Sequence, residues 1–359
     1  MGKPIRMGVL GAGAIGIRCA LSHLSVPDVH DRVVLAAVAD PAPGRAKAAA
    51  EKFGVPRWYE DPDALLADPD VDAITLCSPI GLHYQQGLAA IAAGKHVHFN
   101  KTMATTVEEC NALIAQAAAK QVRLVASPGM MLHPFNQRIR QQVQEGAIGQ
   151  VVWAATGVGV GDYHLTEEFR TGNDVLTDVD PTWYFRRPGG GPLYDVTVYC
   201  LHNLTGILGP AQRVTALSGM RLPQREYRGR TITCDMDDST FISIDFGNAV
   251  FAIAFGTVAG SVTSAFNPSI FGTVGAVVGT RVNGEETNLP GDHQPHVVGP
   301  HADLDESHVF EDIMQLVDWV REGTPSIASA EHARHVIDII ESGYRAAETG
   351  QTQALRTTF

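Results

Sequence analysis

The sequence predicts an α/β protein: an N-terminal doubly wound parallel sheet, then a C-terminal α+β domain built on a mixed, largely antiparallel open sheet. Three observations carry this. The strand-like run Ile5 to Leu10 meets a helical pattern through G-x-G-x-x-G, at Gly11, Gly13 and Gly16. Short apolar runs then alternate with helical segments as far as Ala126, which is how parallel strands joined by crossover helices read. Past Ser127-Pro128-Gly129, strand-like segments and turn signals dominate instead. The domains are therefore drawn at 1–127 and 128–359, with the last helices free to pack back on the first domain.

Each element has a local cause. Gly11 suits a tight strand-to-helix turn, Gly13 the approach of a pyrophosphate to the backbone, and Gly16 the packing of helix on strand. With Ala12, Ala14 and Ile15 they form a turn whose following helix offers N–H groups and a positive dipole end to phosphates. A second strand, Val33 to Ala39, ends in Asp40, where a carboxylate suits the ribose 2′-OH of NAD and repels the 2′-phosphate of NADP. Arg45, a few residues on, could swing to a phosphate; it also opens a helix that reaches Phe53 and stops at Gly54. Asp61-Pro62 has the form of an N-cap with proline at the first helical position. Ala73 to Cys77 reads as a buried strand ending at Ser78-Pro79, Leu82 to Ala93 as a helix stopped by Gly94, and His96 to Phe99 as the next strand. Thr106 and Glu109 make a capping box that opens a helix to about Lys120, and Val122 to Ala126 closes the series.

In the second domain Pro134 to Glu145 is helical, with Phe135, Ile139 and Val143 on one face. Strands are expected at Val151 to Thr156, Val214 to Ser218, Thr240 to Phe246, Ala249 to Phe255 and Gly275 to Val282, with turns at Gly247-Asn248 and Asn283-Gly284. Two helices follow, Ser307 to Arg321 and Ser329 to Thr349, each with serine at its N-cap. Several of these strands look apolar on both faces. A sheet covered on one side by its own helices would need another cover, so association of subunits through this domain is expected.

Composition narrows the class. Against 27 Lys and Arg stand 39 Asp and Glu, a net charge of −12 with no long basic run, which argues against nucleic acid or an anionic membrane as the main partner. The five cysteines are odd in number, scattered and without a C-x-x-C, as in a reducing compartment, and no long apolar span or leader is read. A cytoplasmic enzyme is expected. His293, His296 and His301 with Asp292 match no standard metal spacing, so no metal is expected.

The series Gly11–Gly16, Ala37-Val38-Ala39-Asp40-Pro41, Asp70-Val71-Asp72-Ala73-Ile74, Ser78-Pro79 with His83, and Ala93-Gly94-Lys95-His96-Val97 resembles the glucose–fructose oxidoreductase and inositol dehydrogenase family (Gfo/Idh/MocA). The likeness continues at Gly189-Gly190-Gly191-Pro192-Leu193-Tyr194-Asp195. It implies a Rossmann domain, a C-terminal mixed sheet, a homodimer or homotetramer, and hydride transfer between NAD(P) and a sugar, cyclitol or related alcohol. It also implies cofactor contacts from Ser78, Pro79, His83, Asn100 and Lys101. Where the family reads Glu-Lys-Pro, this chain has Asn100-Lys101-Thr102; Thr102 restores an N–H that proline lacks, and Asn100 removes a negative charge beside the lysine. Ile80 replaces the family's asparagine after proline, and Asp-x-x-x-His appears as Asp195 to Tyr199, a tyrosine shared with the glucose–fructose oxidoreductase subgroup.

Alcohol oxidation needs an acceptor for the hydroxyl proton while hydride leaves. Lys101, Tyr199 and Asp195 are the candidates. Tyr199 serves as base only if its pKa of about 10 falls, which a nearby Lys101 would favour. On a helix Asp195, Tyr199 and His202 share one face. Trp183 and Arg186 could wall a sugar site or belong to a hinge, and the loop Gly161 to Asp180, with Tyr163 and His164, could be a lid or a subunit contact. Candidate substrate contacts are thus Lys101, His164, Trp183, Arg186, Asp195, Tyr199 and His202. Two other readings stay open: a glycoside-cleaving enzyme that uses bound NAD transiently, and a dinucleotide sensor.

Overall fold

The computed structural model describes residues 2–359, apart from the side chains of residues 263–265. The first domain is a sheet of six parallel strands: β1 (Ile5–Leu10), β2 (Val33–Ala39), β3 (Trp58–Tyr59), β4 (Ala73–Leu76), β5 (His96–Phe99) and β6 (Leu124–Ala126). Their order, β3-β2-β1-β4-β5-β6, reverses direction between β1 and β4. A crevice opens at such a switch point, beyond the carboxyl ends of the strands. Helices start where local chemistry favours them. The Asp61 carboxylate accepts from Asp63 N at the start of helix Pro62–Ala67, and Thr106 and Glu109 close their capping box on helix Val107–Lys120. The short β3 was not foreseen, because two residues carry no periodic signal.

The second domain holds nine strands in the order β16-β15-β14-β13-β7-β12-β11-β8-β17. In chain order these are β7 (Val151–Val160), β8 (Arg213–Gly219), β11 (Ser239–Asp245), β12 (Phe251–Thr257), β13 (Ser261–Gly272), β14 (Ala276–Val278), β15 (Arg281–Val282), β16 (Glu285–Glu286) and β17 (Gln353–Ala354). Only β7 and β12 run parallel; the other neighbours are antiparallel. A separate ribbon pairs β9 (Gln224–Tyr227) with β10 (Arg230–Thr233) across Arg228 and Gly229, both at positive φ. The single strand expected over Gly275 to Val282 is instead a hairpin, because Gly279 turns the chain at φ 62° between β14 and β15. Strand β7 runs past Thr156 to Val160, and β13 was missed altogether.

Three large apolar cores result, beside two smaller clusters, one around Phe185, Tyr227 and Met236 and one around Val158, Val196 and Cys200. Of the large cores, two lie on the faces of the parallel sheet and one under a single face of the nine-stranded sheet. The last two helices join them. Helix Ser307–Glu322 buries Phe310, Ile313, Met314 and Val317 against Met7, Val9 and Leu21 of the first domain. Helix Ala330–Thr349, capped by Ser329, gives Ala333 and Ile337 to the first domain and Val336, Ile340 and Ala346 to the second. Ser307 does not cap its helix: Glu306 holds that position at φ 58°, a conformation that costs a non-glycine residue about 1–2 kcal/mol. Among the described residues no helix is long and apolar enough to cross a membrane.

The histidines near 293–301 serve this packing. His296 Nδ1 lies 3.0 Å from Glu311 and Nε2 3.2 Å from Asp318, while His301 stacks on Phe310. Burial opposes charge on His296, but the bonds to Asp318 and Glu311 outweigh it and hold the ring up to about 9. A folded-state value above the unfolded value of about 6.5 adds stability at low pH that is lost on alkalinisation. Denaturant midpoints are therefore expected to fall as pH rises from about 6.5 through about 9, and His296→Gln should flatten that part of the profile.

Candidate active site between the domains

The crevice begins at the glycine turn. Gly11 takes φ 102°, and a Cβ on Gly16 would stand 1.8 Å from the Gly11 carbonyl oxygen, so neither position accepts a side chain. A helical stretch follows directly on this turn, and the first N–H groups of a helix lack intrahelical partners, which suits an anion there. Asp40, at the end of β2, accepts from Ala12 N and Ala42 N, each at 2.9 Å. Arg45 lies 3.4 Å from Asp40, but its Nε and Nη2 donate to the Val175 and Asp178 carbonyls. Its guanidinium is thus engaged by the segment that lies over the turn, where Val179 approaches Gly13. A bare-backbone turn, a helix N-terminus and a strand-end carboxylate fit a dinucleotide whose ribose hydroxyls are free.

The next strand ends complete one wall. Ala14, Ile15, Cys77, Ser78, Pro79, Asn100, Lys101 and Trp183 line a small cavity beside the turn. His83 is fully buried between the carbonyls of Ser78 and Thr102, at 2.9 and 2.7 Å, and ties the loop after β4 to the loop after β5. Burial holds this ring below its ordinary pKa, despite those carbonyls. Asn100 Oδ1 accepts from Lys101 N at 2.6 Å, and the Lys101–Thr102 peptide bond is cis.

A second cavity of about 570 Å3 lies on the side of the C-terminal domain and is lined by Arg18, Tyr163, Glu167, Tyr199, Phe266, Glu306 and His308. Ile15, Lys101, Arg170 and Tyr184 line both cavities. Lys101 is where they meet. Its Nζ donates to Asp195 Oδ1 at 2.5 Å, and the other carboxylate oxygen accepts from Tyr163 OH at 2.8 Å and lies 2.7 Å from His164 Nε2. Burial alone would raise the Asp195 pKa; Lys101 and His164 outweigh it and hold the carboxyl far below the usual range. His164 is sandwiched between the rings of Tyr163 and Tyr184, each 3.8 Å away. Burial pushes its pKa down, so the neutral ring donates from Nε2, and its buried Nδ1 has no hydrogen-bond partner.

The structure brings Lys101, Asp195, Tyr199, His164 and Trp183 around these cavities and leaves two expected contacts outside. His202 is buried against His332, 4.6 Å between ring centroids, because the helix turns that face into the core. Arg186 is about half exposed and pairs with Asp235. The expected tuning of Tyr199 is also corrected. Lys101 Nζ lies 5.6 Å from its ring centroid, but burial, then the charges of Glu306, Asp195 and Asp312, push the phenol pKa up rather than down. Lys101 does not reverse this, since its Nζ is bonded to Asp195 and stands over the ring at that distance.

Sequence reasoning passed over Arg18, Arg170, Glu306 and His308. Arg18 bonds Glu167 and Glu306, each at 2.9 Å, and Arg170 bonds Glu167 at 2.6 Å, so these charges are mutually paired. The only local signal was the position of Arg18 just after the third glycine and of Glu306 and His308 at a helix start. Nothing in the sequence aimed them at one cavity.

Models of two domain families match nearly the whole chain: residues 5–127 match the oxidoreductase family NAD-binding Rossmann fold, and 140–355 the C-terminal alpha/beta domain of the same family. The chain belongs to the Gfo/Idh/MocA oxidoreductase family and is an NAD-binding oxidoreductase. It is 29% identical to a D-glucoside 3-dehydrogenase of Escherichia coli over 256 residues, 68% of either chain. Two further curated relatives are matched over 53 and 60% of their own length. Among solved structures, an oxidoreductase from Thermotoga maritima superposes with a TM-score of 0.77 at 20% identity, covering 98% of both chains. A levoglucosan dehydrogenase in complex with NADH and L-sorbose gives 0.74 at 18% identity, over 98% of this chain and 99% of that one. At these identities the superpositions speak to the fold.

Two outcomes are expected. Gly16→Ala should abolish dinucleotide binding in a fluorescence titration, since its methyl group has no room. The unmodified protein should bind NAD more tightly than NADP, with Asp40→Ala narrowing the difference; tighter NADP binding by the unmodified protein would refute the assignment of Asp40.

Proposed function

We propose that the protein is an NAD-dependent dehydrogenase that oxidises a ring hydroxyl of a sugar, glycoside or cyclitol, or reduces the matching ketone. The observation that carries the reading is Lys101 at the junction of the dinucleotide-side and C-terminal cavities, gripped by Asp195. NAD, when bound, supplies the hydride acceptor. The chain's residues do the rest. Lys101 Nζ holds the substrate oxygen and stabilises the negative charge that develops on it, from a side chain only 12% exposed. Asp195, with Tyr163 and His164 bonded to its second oxygen, fixes the direction of Lys101. The larger cavity combines the faces of Tyr163, Tyr184, Tyr199 and Phe266 with paired charges, which suits a neutral polyhydroxylated ring. Names of relatives support the same class: a D-glucoside 3-dehydrogenase and inositol 2-dehydrogenases.

A panel of sugars, glycosides and inositols mixed with NAD should give net NADH absorbance with at least one member. Turnover of a glycoside without net NADH would instead support transient use of bound NAD. Lys101→Met should slow turnover by about 10²–10⁴, with NAD affinity changed far less. Combined with Asp195→Asn it should cost little more, because the two act as a unit. Near-normal turnover of the lysine variant would remove Lys101 from the chemistry.

The protein is further read as a cytoplasmic homo-oligomer, either dimer or tetramer. The face of the large sheet turned away from its helices carries Leu217 and Phe241 on paired strands, and Phe251 beside Trp153, which stacks on Phe271. Leu217 is 76% exposed and Phe251 53%. A contiguous apolar patch of this kind on a soluble chain marks an interaction surface. Sedimentation should show an oligomer at micromolar concentration that Phe251→Asp converts to monomer; a monomeric unmodified protein would contradict this.

A further inference from the structure

The mechanism leaves a difficulty at Tyr199. A buried phenol whose pKa is raised does not rest as phenolate, so it cannot take the substrate proton and keep it. Its neighbours supply the answer. Tyr199 stands near the start of helix Val198–Leu208, between Lys101 and the ring of Phe266, 5.0 Å away. Its hydroxyl lies 3.3 Å from His308 Nε2, with the two rings edge to face at 5.6 Å. His308 is the second residue of helix Ser307–Glu322, whose body packs on the first domain while its N-terminal end reaches the substrate cavity. Beside it, 3.7 Å from the same Nε2, is Glu306 Oε2, whose other oxygen is held by Arg18. The His308 side chain is 28% exposed, so a proton placed there has a way to water.

We propose that Tyr199 is a relay and that His308 is the acceptor behind it. The proposal rests on the dehydrogenase reading above. As the substrate O–H bond breaks, its proton passes to Tyr199 Oη while the phenol's own proton passes to His308 Nε2. The C–O bond becomes C=O as hydride departs to the nicotinamide of NAD, the oxidant. Tyr199 ends neutral, and His308 ends as an imidazolium beside the Glu306 carboxylate before giving its proton to water. The relay requires Nε2 to be bare beforehand, so the neutral ring carries its proton on Nδ1.

The surroundings favour that state. Burial holds His308 below its ordinary pKa; Glu306 opposes, and Lys101 and Arg18 add to the lowering. With that tautomer the Tyr199 hydroxyl, 3.3 Å away, donates to the bare nitrogen, and His133 and His23, which feel the charge of His308, are each pushed down to about 4 chiefly by their own burial. At neutral pH the ring is therefore ready to accept. Lys101 is not available for this task, because its Nζ bonds are directed at Asp195.

The test uses the full chain with NAD and the best substrate of the panel. In the oxidative direction kcat/KM should rise with pH along a limb below the ordinary histidine value of about 6.5 and then level off. His308→Gln should lose that limb and slow turnover by about 10²–10³, with KM moved far less. His308→Gly should regain turnover on addition of imidazole, which a merely structural role would not allow. Independently of activity, an NMR titration of the cofactor-free protein should show the His308 midpoint moving upward in Tyr199→Phe, because the donor that favours the neutral ring is gone. A His308→Gln enzyme with normal turnover and an intact acid limb, or a His308 midpoint indifferent to Tyr199→Phe, overturns the relay while the dehydrogenase reading stands. A protein that reduces NAD with no member of the panel overturns both.

Discussion

The Lys101–Asp195 pair is the constraint on which the rest of the site depends. It joins the carboxyl end of a parallel strand in one domain to a helix of the other, and the two side chains are only 12% and 2% exposed. Burying two opposite charges costs several kcal/mol per ion unless every remaining lone pair finds a donor. Here the carboxylate is satisfied by Lys101, Tyr163 and His164 together, so the aromatic cluster of Tyr163, His164 and Tyr184 exists as much to complete this pair as to line the cavity. Lys101 nonetheless does not tune Tyr199. Its Nζ stands over the ring, 5.6 Å from the centroid, too far to lower the phenol pKa against burial and the charges of Glu306, Asp195 and Asp312.

The pair needs the domains held in register, and the two C-terminal helices do this. One buries a continuous stripe against the first sheet; the other divides its stripe between both domains. A consequence is that the end of a packing helix delivers His308 and Glu306 to the substrate side. Residues that look structural by element become part of the site by where their helix ends. The segment 174–180 adds a further bond across the crevice through Arg45, which answers whether that arginine is free for a second phosphate.

The charges at the far side of the cavity are arranged differently. Arg18, Glu167, Arg170 and Glu306 neutralise one another, leaving hydroxyls and aromatic faces as the groups available to a ligand. Such networks orient without supplying net charge, and for a partly exposed set their worth lies in geometry more than in stability.

The sequence by itself determined the parallel domain nearly element by element, with the glycine turn, Asp40 at the end of β2 and the capping box at Thr106. These are legible because their causes are local: a steric limit at Gly16, a strand period of two, a cap within four residues. The sequence coupled Lys101 to Tyr199, and only the tertiary structure paired that lysine with Asp195. It determined the mixed sheet only in outline. β13 and the hairpin at Gly279 were not read, since strand breaks and pairings in such a sheet are set by neighbours far away in the chain. The tertiary structure alone decided the chemistry of the residues the sequence had named. His202 fell into the core though it shares a helix with Tyr199, His164 was drawn onto Asp195, and Tyr199 was pushed up toward the neutral phenol. Protonation is decided by burial and by charges summed over several elements, including Glu306 and Asp312 more than a hundred residues away in sequence, and no spacing rule contains that sum.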